Sequence, residues 1–235
     1  MNGISPAERV FCAIDTTDLA QATALARALA GAVGGVKLGN EFFTAHGPDG
    51  FRAVAATGQR IFLDLKFHDI PNTVAGAVRA ARELGCHMLT VHASGGAAMV
   101  RAAAGARGGE DGPLILGVTV LTSLGEDDLT AVGQQGPMAD QVLRLARLAT
   151  GAGATGLVAS PLEVPALRAG LGAKALLVVP GIRPEWASSD DQKRITTPAD
   201  AVRAGADYLV VGRPITRADD PAAAARRIAA EIADA

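Results

Sequence analysis

The chain is short of aromatic side chains, lysine and cysteine, and each shortage excludes something. Aromatics make up 3% of the residues, too few for the stacking platform that single-stranded nucleic acid needs. The net charge is −2 and no Lys/Arg run occurs, so no basic field awaits a polynucleotide. No apolar run approaches the roughly 18 residues of a membrane-spanning helix. The opening MNGISPAERV lacks the charged-then-apolar pattern of a secretory signal. Cys12 and Cys86 are the only cysteines, far apart and in apolar segments. They read as buried free thiols of a reducing compartment, so the expectation is cytoplasmic. His46, His68, His87 and His92 show no ligand spacing, and no metal site is expected.

Lysine is scarce in an uneven way. The chain has 18 arginines and four lysines, Lys37, Lys66, Lys174 and Lys193. Lys37 and Lys66 fall in apolar, strand-like segments. An ammonium can deliver a proton where a guanidinium cannot.

What is present is a large apolar fraction, 49%, in a regular alternation of strand and helix patterns. Strands are expected at 10–15, 35–39, 60–66, 87–92, 113–121, 155–159, 175–179 and 208–211. Helices are expected at about 18–31, 50–57, 71–84, 95–107, 137–150, 163–169 and 198–204, with a last one opening at Asp220-Pro221. Strand–helix alternation implies a parallel sheet. Eight units in 235 residues, near the roughly 250 of an eightfold β/α barrel, favour closure. The expectation is a single-domain (β/α)8 TIM barrel over 1–235. The longest irregular stretch, about 180–197, is of the length that functional loops reach.

Such barrels carry their chemistry at the C-terminal ends of the strands. Asp15, Lys37, Asp64 and Lys66 lie there on the first three strands. In an extended segment residues i and i+2 share a face, so Asp64 and Lys66 should point the same way. Strand five runs into Thr122-Ser123. Strands seven and eight lead to Gly181, Arg183, Gly212 and Arg213, glycine and arginine at the place where these barrels often hold phosphate. One decoy is set aside: Gly151-Ala-Gly153-Ala-Thr-Gly156 matches the dinucleotide fingerprint, but a helix precedes it and a strand follows, the reverse of what that motif needs. Trp186 is placed as an anchor of the long loop.

The run Phe62-Leu63-Asp64-Leu65-Lys66-Phe67-His68-Asp69-Ile70-Pro71-Asn72-Thr73-Val74 resembles the signature of the bacterial orotidine 5′-phosphate decarboxylase family. Ala13-Ile14-Asp15, Val36-Lys37-Leu38-Gly39, Thr119-Val120-Leu121-Thr122-Ser123, Val179-Pro180-Gly181-Ile182-Arg183 and Val211-Gly212-Arg213-Pro214-Ile215 are similar to its other blocks, in order. The resemblance implies conversion of orotidine 5′-phosphate to UMP without a cofactor. It implies Lys66 as proton donor, in a charge network with Asp64 and Lys37 that Asp69 completes from a second subunit of a homodimer. It implies ribose contacts from Asp15 and Lys37, a base contact from Thr122, and a substrate contact from Thr73. It implies phosphate contacts from Arg183, Gly212 and Arg213, with Gln192 bridging phosphate and base. No nucleic acid or membrane partner is expected.

Three rivals remain at this stage. A Schiff-base aldolase would need a neutral Lys66, which nearby acids oppose. A magnesium-dependent sugar-phosphate decarboxylase or synthase of the same superfamily shares D-x-K-x-x-D. A non-catalytic phosphosugar binder would have no use for a carboxylate beside the substrate's own.

Overall fold

A computed structural model describes residues 3–187, 196–233 and 235. Among the described residues, eight parallel strands close into a barrel in chain order. They are β1 (Val10–Ile14), β2 (Gly35–Gly39), β3 (Ile61–Phe67), β4 (Met88–His92), β5 (Leu114–Val118), β6 (Gly156–Val158), β7 (Leu176–Pro180) and β8 (Tyr208–Val211). The seam is β1 against β8, with Phe11 opposite Val210.

Alternation along each strand separates two apolar regions. Phe11, Ala13, Phe62, Met88, Leu116, Val178 and Val210 fill the barrel lumen. Phe11 meets Phe62 edge to face at 6.2 Å. Full burial of each such ring contributes about 1.5–3 kcal/mol. The opposite strand faces, including Val10, Cys12, Val36, Leu38, Leu63, Leu89 and Val91, pack outward against the helices. The lumen parity continues upward, so Asp15, Lys37, Asp64, Thr90 and His92 follow the inward residues of their strands.

The helices are α1 (Leu19–Ala28), α2 (Asn40–Ala55), α3 (Pro71–Glu83), α4 (Gly96–Ala106), α5 (Glu126–Ala131), α6 (Met138–Gly151), α7 (Val164–Leu171), α8 (Pro198–Ala204), α9 (Arg213–Thr216) and α10 (Pro221–Ala233). Asp18 caps α1 by accepting from Gln21 N–H, and Asp127-Asp128 sit in the first turn of α5, where the helix dipole favours them. Pro71 opens α3, Val74, Val78 and Ala81 form its buried stripe, and Gly85 follows its end at a φ of +82°.

Three helices differ from the expectation, one of them the six-residue α5, for which no range was expected. The second helix starts at Asn40, ten residues early, and is broken by Gly47 at a φ of +55° with Pro48 behind it. Glycine in the left-handed region ends the first piece and proline begins the second; the pair masks the helical pattern ahead of it. The four-residue α9 was not expected at all. Pro214 in its first turn makes the segment look like a loop.

Candidate active site

Four charged groups alternate in sign across the mouth of β1–β3. Lys37 Nζ lies 3.0 Å from Asp15 Oδ1 and 3.9 Å from Asp64 Oδ2. Lys66 Nζ lies 2.8 Å from the same Asp64 Oδ2. Lys37 and Asp64 are nearly buried, at 11% and 13% side-chain exposure, while Lys66 keeps 29%. Burying charges is costly unless each meets its opposite, and here each inner charge has a partner on both sides. Gly39 makes room for the row: a Cβ there would stand 3.1 Å from Lys37 Nζ.

Asp64 and Lys66 do share a face, but not because β3 is regular. Phe62 and Leu63 pair with Met88 and Leu89, and pairing resumes only at Phe67 with Val91. Asp64, Leu65 and Lys66 therefore stand opposite Thr90 alone. The surplus is absorbed in a bulge, with Lys66 at a φ of +50°, the one non-glycine residue in the left-handed region among those described. Such a backbone is strained for a side chain with a Cβ. Bulges of this kind re-aim side chains near functional sites.

Thr90 holds the bulge. It is fully buried, accepts from Lys66 N–H at 2.9 Å and donates to Asp64 Oδ1 at 2.8 Å. Sequence reasoning missed it, although its parity with Met88 and His92 marks it as a polar residue facing the lumen. His92 sits above it, 5.5 Å from the His68 ring. Burial, then His68, holds the His92 imidazole below its ordinary range. Burial pushes the Cys12 thiol up to about 12, as suits a packing residue.

Across the mouth, a cavity of about 210 Å³ is lined by Arg183, Trp186, Arg213, Pro214 and Arg217, with Ala187 and Ala218. Three guanidinium side chains around one hollow suit a multiply charged anion. Arg183 is buried and Gly181 before it takes a φ of +77°. Gly212 precedes α9, and Arg213 is its first residue. Trp186 is anchored on α10 by donation from Nε1 to Glu231 at 2.5 Å and by the Arg227 guanidinium 4.5 Å over its ring.

The remaining expected residues are not part of this row. Asp69 is exposed and accepts from Ile70 N–H at 2.6 Å. Thr73 and Thr122 are exposed, on the first turn of α3 and in the loop after β5. Gln192 lies outside the described residues.

The model of the orotidine 5′-phosphate decarboxylase / HUMPS family matches residues 8–228. The chain belongs to that family. Within it, the orotidine 5′-phosphate decarboxylase of Paramagnetospirillum magneticum is 55% identical over 229 residues, 95% of this chain and 97% of the relative. That of Anaeromyxobacter sp. strain K is 57% identical, over 97% of this chain and all of the relative. The crystal structure of orotidine 5′-phosphate decarboxylase from Lactobacillus acidophilus superposes with a TM-score of 0.85 at 40% identity, over 95% of this chain and 98% of that one.

Proposed function

We propose that this chain decarboxylates orotidine 5′-phosphate to UMP and carbon dioxide, the last step of de novo UMP synthesis. The observation that carries the reading is the Lys66 ammonium, held 2.8 Å from Asp64 at the barrel mouth in a chain of this family. Loss of carbon dioxide leaves an electron pair in an sp² orbital at C6 of the pyrimidine, with no adjacent π acceptor. A fixed cation aimed at that carbon stabilises the charge as it develops, and preorganised electrostatics of this kind is usually the largest catalytic term. Lys66 then donates a proton to C6. The neighbouring Asp64 carboxylate fixes the direction of that ammonium through the 2.8 Å contact. The chemistry drawn here calls on no cofactor.

The other roles are those that the family resemblance implies. Asp15 and Lys37 bind ribose hydroxyls, Asp64 stands by the substrate carboxylate, and Thr122 approaches the base. Arg183, Gly212 and Arg213 hold the phosphate, remote from C6, where binding energy can be spent on assembling the site. Gln192, outside the described residues, takes the bridging role between phosphate and base that the resemblance implies.

Asp69 acts on the pocket of a second subunit, and Thr73 contacts substrate. His68 to Thr73 is exposed in one protomer, and Ile70 is 66% exposed within it, an apolar side chain that a second copy would cover. The protein on this reading is a homodimer with shared sites. The unpaired buried thiols Cys12 and Cys86 suit a reducing compartment, and the cytoplasm is where we place it.

The test is the fall in ultraviolet absorbance of orotidine 5′-phosphate on adding the purified protein in buffer containing EDTA. Steady turnover is the expected result. Absence of turnover at micromolar protein overturns the assignment, and turnover that returns only with magnesium moves it to the metal-dependent branch.

A further inference from the structure

We infer that Thr90 is a positioning residue for the decarboxylation proposed above, setting through one hydroxyl both the backbone of Lys66 and the carboxylate of Asp64. The inference rests on that functional reading, because it concerns the pair assigned to the reacting carbon.

The geometry leaves little freedom. A threonine hydroxyl has one proton to donate, and Thr90 gives it to Asp64 Oδ1 at 2.8 Å. Its lone pair receives Lys66 N–H at 2.9 Å, the amide that the β3 bulge takes out of register with β4. Donation into Oδ1 fixes the carboxyl plane and leaves Oδ2 for the two ammoniums, Lys66 at 2.8 Å and Lys37 at 3.9 Å. Acceptance from the Lys66 amide supports a φ of +50° that the residue would otherwise leave. Thr90 is fully buried, so no water replaces the bond without opening the lumen. Removing the hydroxyl frees the Asp64 rotamer and leaves a buried amide unpaired. Thr90 lies behind Asp64 and makes none of the proposed substrate contacts. Its loss should therefore appear in kcat and not in the binding of phosphate or ribose.

The experiment compares the wild type with Thr90→Val, Thr90→Ser and Thr90→Ala, all as the full chain. Thr90→Val keeps the shape and removes both hydrogen bonds. Its kcat should fall about 10- to 100-fold, as for a reacting group displaced by about an ångström. Its KM and its calorimetric affinity for UMP should stay within about twofold, a split that general loosening of the barrel would not produce. Thr90→Ser should restore kcat to within about threefold of wild type. A crystal structure of Thr90→Val should show Lys66 out of the left-handed region or its Nζ away from Asp64.

A Thr90→Val enzyme with wild-type kcat and an unmoved Lys66–Asp64 pair overturns the inference. If that variant does not fold, Thr90→Ser against Thr90→Ala decides: equal activity in the two overturns the role, and activity in Ser alone supports it. Wild-type protein inert toward orotidine 5′-phosphate refutes the proposed function instead, and the crystallographic comparison still judges whether Thr90 sets the pair.

Discussion

Lys66 joins a strained backbone to a partly exposed charge held against Asp64. The strain has a use only if the ammonium must sit at one place. Lys66→Ala should therefore lower turnover by about 10³-fold or more, the scale of a lost acid catalyst and a lost electrostatic partner. UMP binding, assigned above to the arginines opposite, should persist in calorimetry. Near wild-type kcat in that variant would remove Lys66 from the proton-donor role. Away from the mouth, His87 stacks on Phe11, nearly parallel at 6.2 Å. Its imidazole, like that of His92, is held below the ordinary value, by burial first and then, for His87, by Arg60. As pH falls through about 6.5 the unfolded chain takes up these protons and the folded chain does not. The unfolded state then binds more protons, so stability is lost on the acid side. Melting temperature should drop between about pH 7 and pH 5.5, and His87→Phe, which keeps a ring against Phe11, should flatten the drop. The same slope in both proteins would clear His87 of that effect. At this scale Asp15, Lys37, Asp64 and Lys66 were legible, because charges in apolar strands stand out in composition alone. Thr90 was not, because threonine is an ordinary strand residue and only the bulge opposite gives its hydroxyl two partners.

At the scale of elements, most of the barrel could be read from period and punctuation. Pro198–Ala204 and Tyr208–Val211 fall where the pattern puts them. Two of the misses, in α2 and α9, share a cause, the local chemistry of proline and glycine. Gly47-Pro48 splits α2 and hides its first half, and Pro214 conceals α9. The bulge of β3 is a different kind of miss: it depends on the register of β4, which no local pattern encodes. The short α9 presents Arg213 to the cavity that Arg183 and Arg217 also line. Arg213→Ala should cost about 10- to 100-fold in kcat/KM on orotidine 5′-phosphate, as expected for a hydrogen bond to a charged group. It should cost little on the unphosphorylated nucleoside. Equal losses on both substrates would contradict a phosphate contact.

At the scale of the whole molecule, the exposed stretch from His68 to Thr73 follows directly on the strand that carries Lys66. If Asp69 serves a partner's pocket, Lys66→Ala and Asp69→Ala protomers fail for different reasons. A mixed dimer then contains one pocket with both residues intact. Co-purified heterodimers should recover up to about half of the wild-type rate per dimer, provided that the two pockets work independently. Verified heterodimers with no recovery would rule out a shared pocket. Closure of the eight-stranded ring was expected from length and count; assembly was expected from family resemblance, since an exposed isoleucine cannot be picked out before the fold is known.

The seam between β1 and β8 passes through the middle of this machinery. The amines and acids come from the first three strands, whereas the arginine hollow is built after β7 and β8. During synthesis the strands with the lysines and acids thus emerge well before the segments that line the arginine hollow. Ring closure is a long-range event of the slow kind. On the proposed assignment, a chain halted before β8 would have the lysine-bearing strands and lack Arg213 and Arg217 of the hollow opposite, so only ring closure brings both to one mouth.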